Sequence, residues 1–318
     1  MDYLRARFLQ ELNDEGDIFI RGLSWSRQQI LETMDPTANE EVFAEWVDQE
    51  KTAAKDRVRD FLAANGCLDR FRTLTELVRN GSVVPFIGAG MSVSSGFKPW
   101  GDFLLSLLPD APQIVGKVSD LLAQSSYEEA AQAVYDEIGA DIFSEEVSSR
   151  LGSHRSNFHG PIQILPFVFK HEVLTTNFDY VLSNVYRGAG LPFVREYCGA
   201  GLGDAPKRLA TEPHCLLRLH GEADSDHGRV LTKAEYEAAY ADSSTLPALL
   251  QRIVGTKSLL FLGCSLQSDR TFAALVALKS AENVAGPRHY AFLSQPAEEH
   301  RTARRTFLAA GGVHPVYY

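Results

Sequence analysis

The stretch VVPFIGAGMSVSSGF, Val83–Phe97, joins a short apolar run to Gly88-Ala89-Gly90 and then to a cluster of small residues. An apolar run without alternation predicts a strand that is buried on both faces. Glycine has no Cβ and tolerates positive φ, so the turn allows either a tight reversal or the close approach of a ligand to the backbone. A helix starting there would aim unpaired N–H groups at a phosphate. The spacing is neither G-x-G-x-x-G nor a Walker loop, so a dinucleotide site and a structural turn both stay open.

Beyond this stretch, apolar strand-like runs alternate with helical patterns. Strands are predicted at SVVPFIG, HEVLTTNF, CLLRLHG, SLLFLGC and RHYAFLS, with a short one at VHPVYY. Helices are predicted at LDRFRTLTELVR, WGDFLLSLL, SYEEAAQAVYDEI and FDYVLSNVY. This alternation predicts an α/β fold with a doubly wound, Rossmann-like parallel sheet over residues 81–318. Residues 1–80 are predicted to form a helical N-terminal region for oligomerisation or partner docking.

Composition excludes several classes of protein. The chain has 318 residues and is 45% hydrophobic, which argues against wholesale disorder. Its net charge of −10 gives no bulk attraction to nucleic acid. The absence of a signal peptide and of a membrane-length apolar run leads us to expect a soluble, cytoplasmic protein. No disulfide framework and no metal site are expected, because the cysteines are far apart and form no C-x-x-C pair: Cys67, Cys198, Cys215 and Cys264.

One basic cluster stands out in this acidic chain. It is RTARRTF, residues 301–307, in which the arginines recur at helical spacing. We expect it to form the solvated face of a helix, with a patch that binds a partner as the alternative.

Small and polar residues follow three further predicted strands. They are Thr175, Thr176, Asn177 and Asp179 in LTTNFDY, His220 and Gly221 in LRLHGEAD, and Gly263, Ser265 and Asp269 in LFLGCSLQSD. In open parallel sheets, ligands bind beyond the carboxyl ends of the strands, where the strand order reverses. The strand ends therefore predict one cleft. Structural alternatives remain for individual residues: Asn177 as a helix cap, His220 as an ordinary strand-end histidine and Gly263 as a turn glycine.

At this point the sequence resembles a known family. GAGMSVSSG, TTNFD and LHG, in this order, are similar to the sirtuin signatures G-A-G-x-S-x-x-x-G, T-x-N-x-D and H-G. GCSL resembles the Gly-x-Ser segment on the adenosine side of the sirtuin NAD pocket. VLTKAEYEAAY resembles a tyrosine-bearing helix of bacterial sirtuin-like domains. The resemblance extends from Val83 to the C-terminus and implies a SIR2-like domain.

The resemblance also implies roles for individual residues. Asn177 would position the ribose hydroxyls and the attacking water, and His220 would accept a proton from one of them. The other residues that the resemblance assigns to NAD are Gly88, Ala89, Gly90 and Ser92 at the pyrophosphate, Gly263, Ser265 and Asp269 at the adenosine half, and Thr176 and Asp179 beside Asn177.

Departures from the sirtuin pattern favour hydrolysis of NAD. No cysteine lies between His220 and Cys264, where deacylases carry a zinc module, and GFKPWGDF replaces a G-I-P-x-F-R-like segment. This combination resembles bacterial anti-phage sirtuin-like proteins and implies an NAD⁺ hydrolase that forms ADP-ribose and nicotinamide. Two alternatives stay open, namely an NAD-dependent protein deacylase or ADP-ribosyltransferase, and a module that senses NAD or another nucleotide without cleaving it.

An NAD hydrolase has to be restrained inside its own cell. In the resembled defence systems the partner is a HerA-like ATPase or an Argonaute-type protein. Because the chain ends soon after the sirtuin-like region, we expect a separate partner chain of this kind, together with a homo-oligomer. No membrane and no direct nucleic-acid partner is expected.

Overall fold

The computed structural model describes residues 2–154, 158–208, 211, 214–226, 228–241, 245–267, 270–281 and 286–318. They fall into two units, residues 1–68 and residues 69–318. Across the described ranges, no helix is long and apolar enough to cross a membrane, and no cluster of His, Cys, Asp and Glu is placed to hold a metal ion.

The first unit consists of helices, as the helical patterns predicted, and of a short hairpin that they did not predict. Its elements are α1 (Asp2–Asp14), β1 (Ile18–Ile20), β2 (Leu23–Trp25), α2 (Arg27–Met34) and α3 (Pro36–Ala64). The long helix α3 begins where the Asp35 side chain accepts the N–H of Ala38, with Pro36 in its first turn. Its core is aromatic, since the ring of Phe8 lies 5.3 Å from that of Phe43 and 5.6 Å from that of Trp46.

In the described part of the second unit, seven strands form one parallel sheet. They are β3 (Val83–Ile87), β4 (Val173–Thr175), β5 (Arg195–Cys198), β6 (Cys215–Arg218), β7 (Ser258–Leu262), β8 (His289–Leu293) and β9 (Val313–Tyr317). The six predicted strands are confirmed. The seventh, β5, was not predicted, because its edge position leaves Arg195 and Glu196 exposed and removes the continuous apolar signal.

Helices connect these strands. They are α4 (Leu68–Arg79), α5 (Trp100–Leu105), α6 (Pro112–Ala123), α7 (Tyr127–Ile138), α8 (Ala140–Leu151), α9 (Leu165–Val168), α10 (Val181–Gly188), α11 (Ala205–Arg208), α12 (Lys233–Ala239), α13 (Thr245–Val254), α14 (Arg270–Ala281) and α15 (Glu298–Ala310). The helices predicted from the sequence are confirmed as α4, α5, α7 and α10. In α4, Leu74 belongs to the same core as Val83 of β3. The functional division at residue 80 therefore stays a prediction, while α4 itself is part of the second unit's core.

The order of the strands places the candidate site. It runs β5-β6-β4-β3-β7-β8-β9, so the chain first builds the sheet on one side of β3 and then crosses to the other side at β7. The strand order reverses between β3 and β7, which makes this the switch point of the doubly wound sheet. Because all these strands are parallel, the carboxyl ends of β6, β4, β3 and β7 lie side by side at one edge.

Candidate active site

A cavity of about 620 Å³ opens at the carboxyl ends of these four strands. Its volume is in the range of cofactor and small-ligand sites, roughly 300 to 1,000 Å³. All of the predicted site residues that the structure describes line it: Gly88, Ala89, Gly90, Ser92, Thr176, Asn177, Asp179, His220, Gly263 and Ser265. Asp269 lies outside the described residues. The strand ends thus meet at one cleft, and Asn177 and His220 face the same space.

The glycines of the first motif let the segments that follow β3 and β7 lie in close contact. A Cβ on Gly88 would lie 2.6 Å from the carbonyl oxygen of Gly263, and one on Gly90 would lie 2.9 Å from the Cα of Gly263. The N–H of Gly88 donates to Leu262 O at 2.9 Å, and the N–H of Gly90 donates to Gly263 O at 2.9 Å. These two amides are engaged within the protein. The glycines therefore allow the close packing at the switch point. Because they have no side chain, they also leave main-chain atoms exposed on the cavity wall.

Asn177 belongs to a buried hydrogen-bond network at the floor of the cavity. Its main-chain N–H donates to Thr175 Oγ1 at 3.0 Å, and its Nδ2 lies 3.3 Å from Ser92 Oγ. Ser92 Oγ donates to Asp179 Oδ2 at 2.8 Å, while the N–H of Val181 donates to Asp179 Oδ1 at 3.0 Å. Burial raises the pKa of Asp179, and the donors from Val181 and Ser92 partly offset this. Asp179 thus links the Asn177 turn to both the glycine motif and the start of α10.

A buried arginine holds the same turn from behind. Arg218 at the end of β6 donates to the carbonyl oxygen of Asp179 at 2.8 Å and to Ser183 Oγ at 2.8 Å. Its Nε pairs with Glu196 of β5 at 3.0 Å, and its guanidinium lies 4.9 Å from the centre of the Tyr180 ring. Neighbouring strands are therefore joined through one side chain that is itself 1% exposed.

His220 is buried between two tyrosines. Its Nε2 lies 2.7 Å from the hydroxyl of Tyr240, and its Nδ1 lies 3.3 Å from the hydroxyl of Tyr236. The hydroxyl of Tyr240 also lies 3.0 Å from Thr271 Oγ1. Burial lowers the pKa of His220 to about 3, so the ring is neutral near pH 7.

Residues 171–316, which include β4, β6 and β7, match the family model of the SIR2-like domain. The chain contains a SIR2-like domain. The resemblance to a SIR2-like domain is thereby confirmed, and the motifs TTNFD and LHG, with Asn177 and His220, lie inside the matched range.

Curated relatives of this chain carry the name NAD(+) hydrolase ThsA. The protein from Enterococcus faecium is 26% identical over 61% of this chain and 39% of its own length. The one from Bacillus cereus is 24% identical over 72% of this chain and 46% of its own length, and the one from Cytobacillus dafuensis is 26% identical over 65% and 40%. The chain therefore spans less than half the length of these relatives.

The segment GFKPWGDF, which departs from the sirtuin pattern, forms part of the cavity wall. Trp100 stacks on Phe103 with ring centres 5.1 Å apart and lies 5.6 Å from Phe178. Further along the wall, Arg270 pairs with Glu128 through three hydrogen bonds of 2.8, 3.1 and 2.7 Å. The cavity thus has one aromatic side and one side that carries a compensated charge pair.

The expectation that residues 301–307 form a solvated helix face is wrong for Arg304. The segment is helical, in α15, but Arg304 is half-buried and donates to the carbonyl oxygens of Leu266, at 3.0 Å, and Ser265. Leu266 is buried and has a positive φ of 51°. Arg304 therefore holds the loop after β7 in a conformation that a non-glycine residue rarely adopts.

Sequence reasoning missed three residues of the candidate site: Arg218, which holds the Asn177 turn, and Tyr236 and Tyr240, which contact His220. For Arg218 a signal existed, since it is the one charged residue in the apolar run CLLRLHG, and a buried charge requires partners. The tyrosines were noted only as part of a helix that resembles the family. Their approach to His220 depends on how α12 packs, which spacing alone does not reveal.

Proposed function

We propose that this SIR2-like domain hydrolyses NAD⁺ at the nicotinamide–ribose bond and releases ADP-ribose and nicotinamide. The observation that carries this proposal is the cavity at the switch point, which is lined by Asn177, His220 and the bare backbone of the glycine motif. The name that the relatives carry supports the same reaction type.

This reaction needs no general acid to protonate the leaving group. Nicotinamide is already cationic in NAD⁺ and leaves as a neutral molecule, so it needs no proton. Positive charge develops on the ribose as the bond breaks, as in glycoside hydrolysis. The protein has to hold the ribose, admit one water and stabilise that charge in a site where water is otherwise excluded.

Asn177 and His220 suit the polar part of this task. With Asn177 Nδ2 directed to Ser92, we assign the amide oxygen to the ribose hydroxyls or the attacking water. His220 is neutral, and a neutral ring nitrogen can accept a hydrogen bond from a hydroxyl. Each side chain is held close to the sheet, because each residue lies two positions after the end of a buried strand.

The same resemblance that suggested NAD suggests depletion of NAD during anti-phage defence as the biological role. A homo-oligomer, and a partner such as a HerA-like ATPase or an Argonaute-type protein, belong to that proposal.

The test is mass spectrometry of NAD⁺ incubated with the purified chain, alone and at several protein concentrations. We expect ADP-ribose and nicotinamide in equal amounts, and a loss of rate of about 100-fold or more in Asn177→Ala and in His220→Ala. Asn184→Ala and His171→Ala are matched controls, because neither residue lines the cavity, and both should keep the wild-type rate.

Other products would point to other functions. ADP-ribose attached to protein would indicate a transferase, O-acyl-ADP-ribose formed with an acylated peptide would indicate a deacylase, and intact NAD⁺ that stays bound would indicate a sensing module. Full hydrolysis by both cavity variants would remove the catalytic assignment.

A further inference from the structure

Both ring nitrogens of His220 face tyrosine hydroxyls that come from one helix. Tyr236 lies within α12 and Tyr240 caps its C-terminal end, where the N–H of Tyr240 donates to Tyr236 O. An i, i+4 pair lies on one face of a helix, and here the two rings stack with centres 6.2 Å apart. Both rings meet the imidazole edge to face, with centres 5.0 Å away for Tyr236 and 5.8 Å away for Tyr240.

The helix that presents these tyrosines is fixed at its other end. Thr232 and Glu235 form a capping box, and Glu235 Oε2 also accepts the N–H of Leu231 at 2.9 Å. Lys233 pairs with Glu129 of α7 at 3.3 Å. The placement of the two hydroxyls around His220 is therefore set by the fold and not by a loop.

The two tyrosines differ in where they lie. Tyr236 is among the residues that line the cavity, and its hydroxyl makes the longer contact, 3.3 Å from Nδ1. Tyr240 is not among the described residues that line the cavity, and its shorter contact of 2.7 Å to Nε2 continues to Thr271, which is fully buried. The Nε2 side of the ring is thus anchored in the protein interior, and the Nδ1 side faces the tyrosine that borders the ligand space.

The chemistry of a neutral imidazole couples these two sides. One ring nitrogen carries the proton and donates, while the other accepts. Because burial keeps His220 neutral, a partner that fixes the state of Nε2 also fixes the opposite state at Nδ1. A hydroxyl of a ligand that is to bind at Nδ1 has to take the place that Tyr236 holds.

We propose that the two tyrosines play opposite parts: Tyr240 is a positioning residue that fixes the ring and tautomer of His220, and Tyr236 occupies the hydrogen-bonding place at Nδ1 that a substrate hydroxyl takes. The identification of that hydroxyl as one on the ribose of NAD⁺ rests on the proposed function. Tyr240, supported by Thr271, then favours turnover, and Tyr236 competes with the substrate.

The kinetic test compares Tyr240→Phe with Tyr236→Phe in the full chain. Tyr240→Phe is expected to lower kcat about tenfold and to leave KM for NAD⁺ within about twofold, because the loss concerns the orientation of His220. Tyr236→Phe is expected to lower KM about two- to fivefold, because one weak hydrogen bond no longer has to be displaced. Tyr186→Phe is the matched control, since it removes a buried tyrosine hydrogen bond of 3.0 Å to Phe169 O away from the cavity. A loss of kcat in Tyr236→Phe equal to that in Tyr240→Phe would overturn the proposal.

A second measurement needs no NAD⁺. In protein labelled with ¹⁵N-histidine, the ring nitrogens of His220, assigned by their absence in His220→Gln, report the tautomer directly. We expect Tyr240→Phe to move both resonances towards the averaged position of a mixed tautomer, and Tyr236→Phe to leave them nearly unchanged. Unchanged resonances in Tyr240→Phe would refute the positioning role. If the wild-type chain leaves NAD⁺ intact, the proposed function fails, but this spectrum still decides whether Tyr240 fixes the ring.

Discussion

At the scale of single residues, Arg218 shows how a buried charge organises the site. It is fully enclosed, yet its donors are used on the carbonyl oxygen of Asp179, on Ser183 and on the carboxylate of Glu196. Burying the guanidinium carries a desolvation penalty. Its hydrogen bonds and its ion pair offset that penalty only while every partner is in place. Its effect is to hold the turn that carries Asn177 against β6.

Replacing Arg218 by methionine keeps much of the volume and removes all of these donors. We expect the free energy of unfolding to fall by roughly 2 to 4 kcal/mol, because two buried acceptors, on Asp179 and Ser183, and the carboxylate of Glu196 lose their partner. The measurement is urea unfolding at pH 7. Arg187→Met is the control, since Arg187 is exposed and contacts only its helix neighbour Asn184 among the bonds described, at 2.8 Å, so a change below about 0.5 kcal/mol is expected there. Equal stability of the two variants would contradict this view of Arg218.

At the scale of elements, the sequence predicted what continuous apolar runs and glycine turns determine. β3, β4, β6, β7 and β8 could be predicted because strands covered on both faces need apolar residues throughout. The convergence of their ends followed from the parallel sheet alone, and it placed Asn177 and His220 at one cavity. The edge strand β5 and the hairpin of the first unit lack that constraint, since one or both faces are exposed.

Gly263 offers a test of the close contact between the segments that follow β3 and β7. Its φ is +69°, and a Cβ there would meet the main-chain nitrogen of Met91. Gly190 has a similar φ of +74° with nothing within 4 Å of its Cβ position. We expect Gly190→Ala to cost roughly 1 to 2 kcal/mol for the left-handed backbone, and Gly263→Ala to cost about 2 kcal/mol more, because a backbone contact cannot be relieved by a rotamer change.

Urea unfolding of the Gly263 and Gly190 variants measures this difference at matched backbone conformation. NAD⁺ cleavage by Gly263→Ala should also fall, since the shifted loop carries Ser265 at the cavity wall. Equal destabilisation in the two variants would show that the strand ends separate easily.

At the scale of the whole molecule, the contacts that complete the site join distant parts of the chain. Arg270 of α14 pairs with Glu128 of α7 at the cavity wall, and Arg304 of α15 reaches the loop after β7. Tyr240, at the end of α12, reaches His220, which lies 20 residues earlier in the chain. Local patterns do not encode these contacts, because each joins residues that lie 20 or more positions apart in sequence. The sequence therefore predicted the backbone frame of the site better than the side chains that tune it.

The buried histidines give the molecule a predictable response to acid. Burial lowers the pKa of His220 to about 3 and that of His289 to about 4, against an ordinary value of 6.5. Below pH 6.5 these histidines bind protons in the unfolded chain but not in the folded one. Their contribution to the free energy of unfolding is therefore fully present above pH 6.5 and is lost as the pH falls towards 4. Asp179, whose pKa is raised by burial, acts in the opposite direction.

His289 allows the effect of one buried histidine on stability to be measured at a position that does not line the cavity. Its Nδ1 accepts the N–H of Leu259 in β7 at 3.1 Å. Between pH 7 and pH 5 the histidine alone should cost the wild-type chain about 2 kcal/mol of stability. His289→Asn keeps an acceptor but does not titrate, so urea unfolding should show a loss over this range that is smaller by that amount. His300→Asn, at a side chain that is 74% exposed, should retain the wild-type pH dependence. Identical slopes for His289→Asn and the wild type would mean that His289 becomes protonated in the folded state without cost.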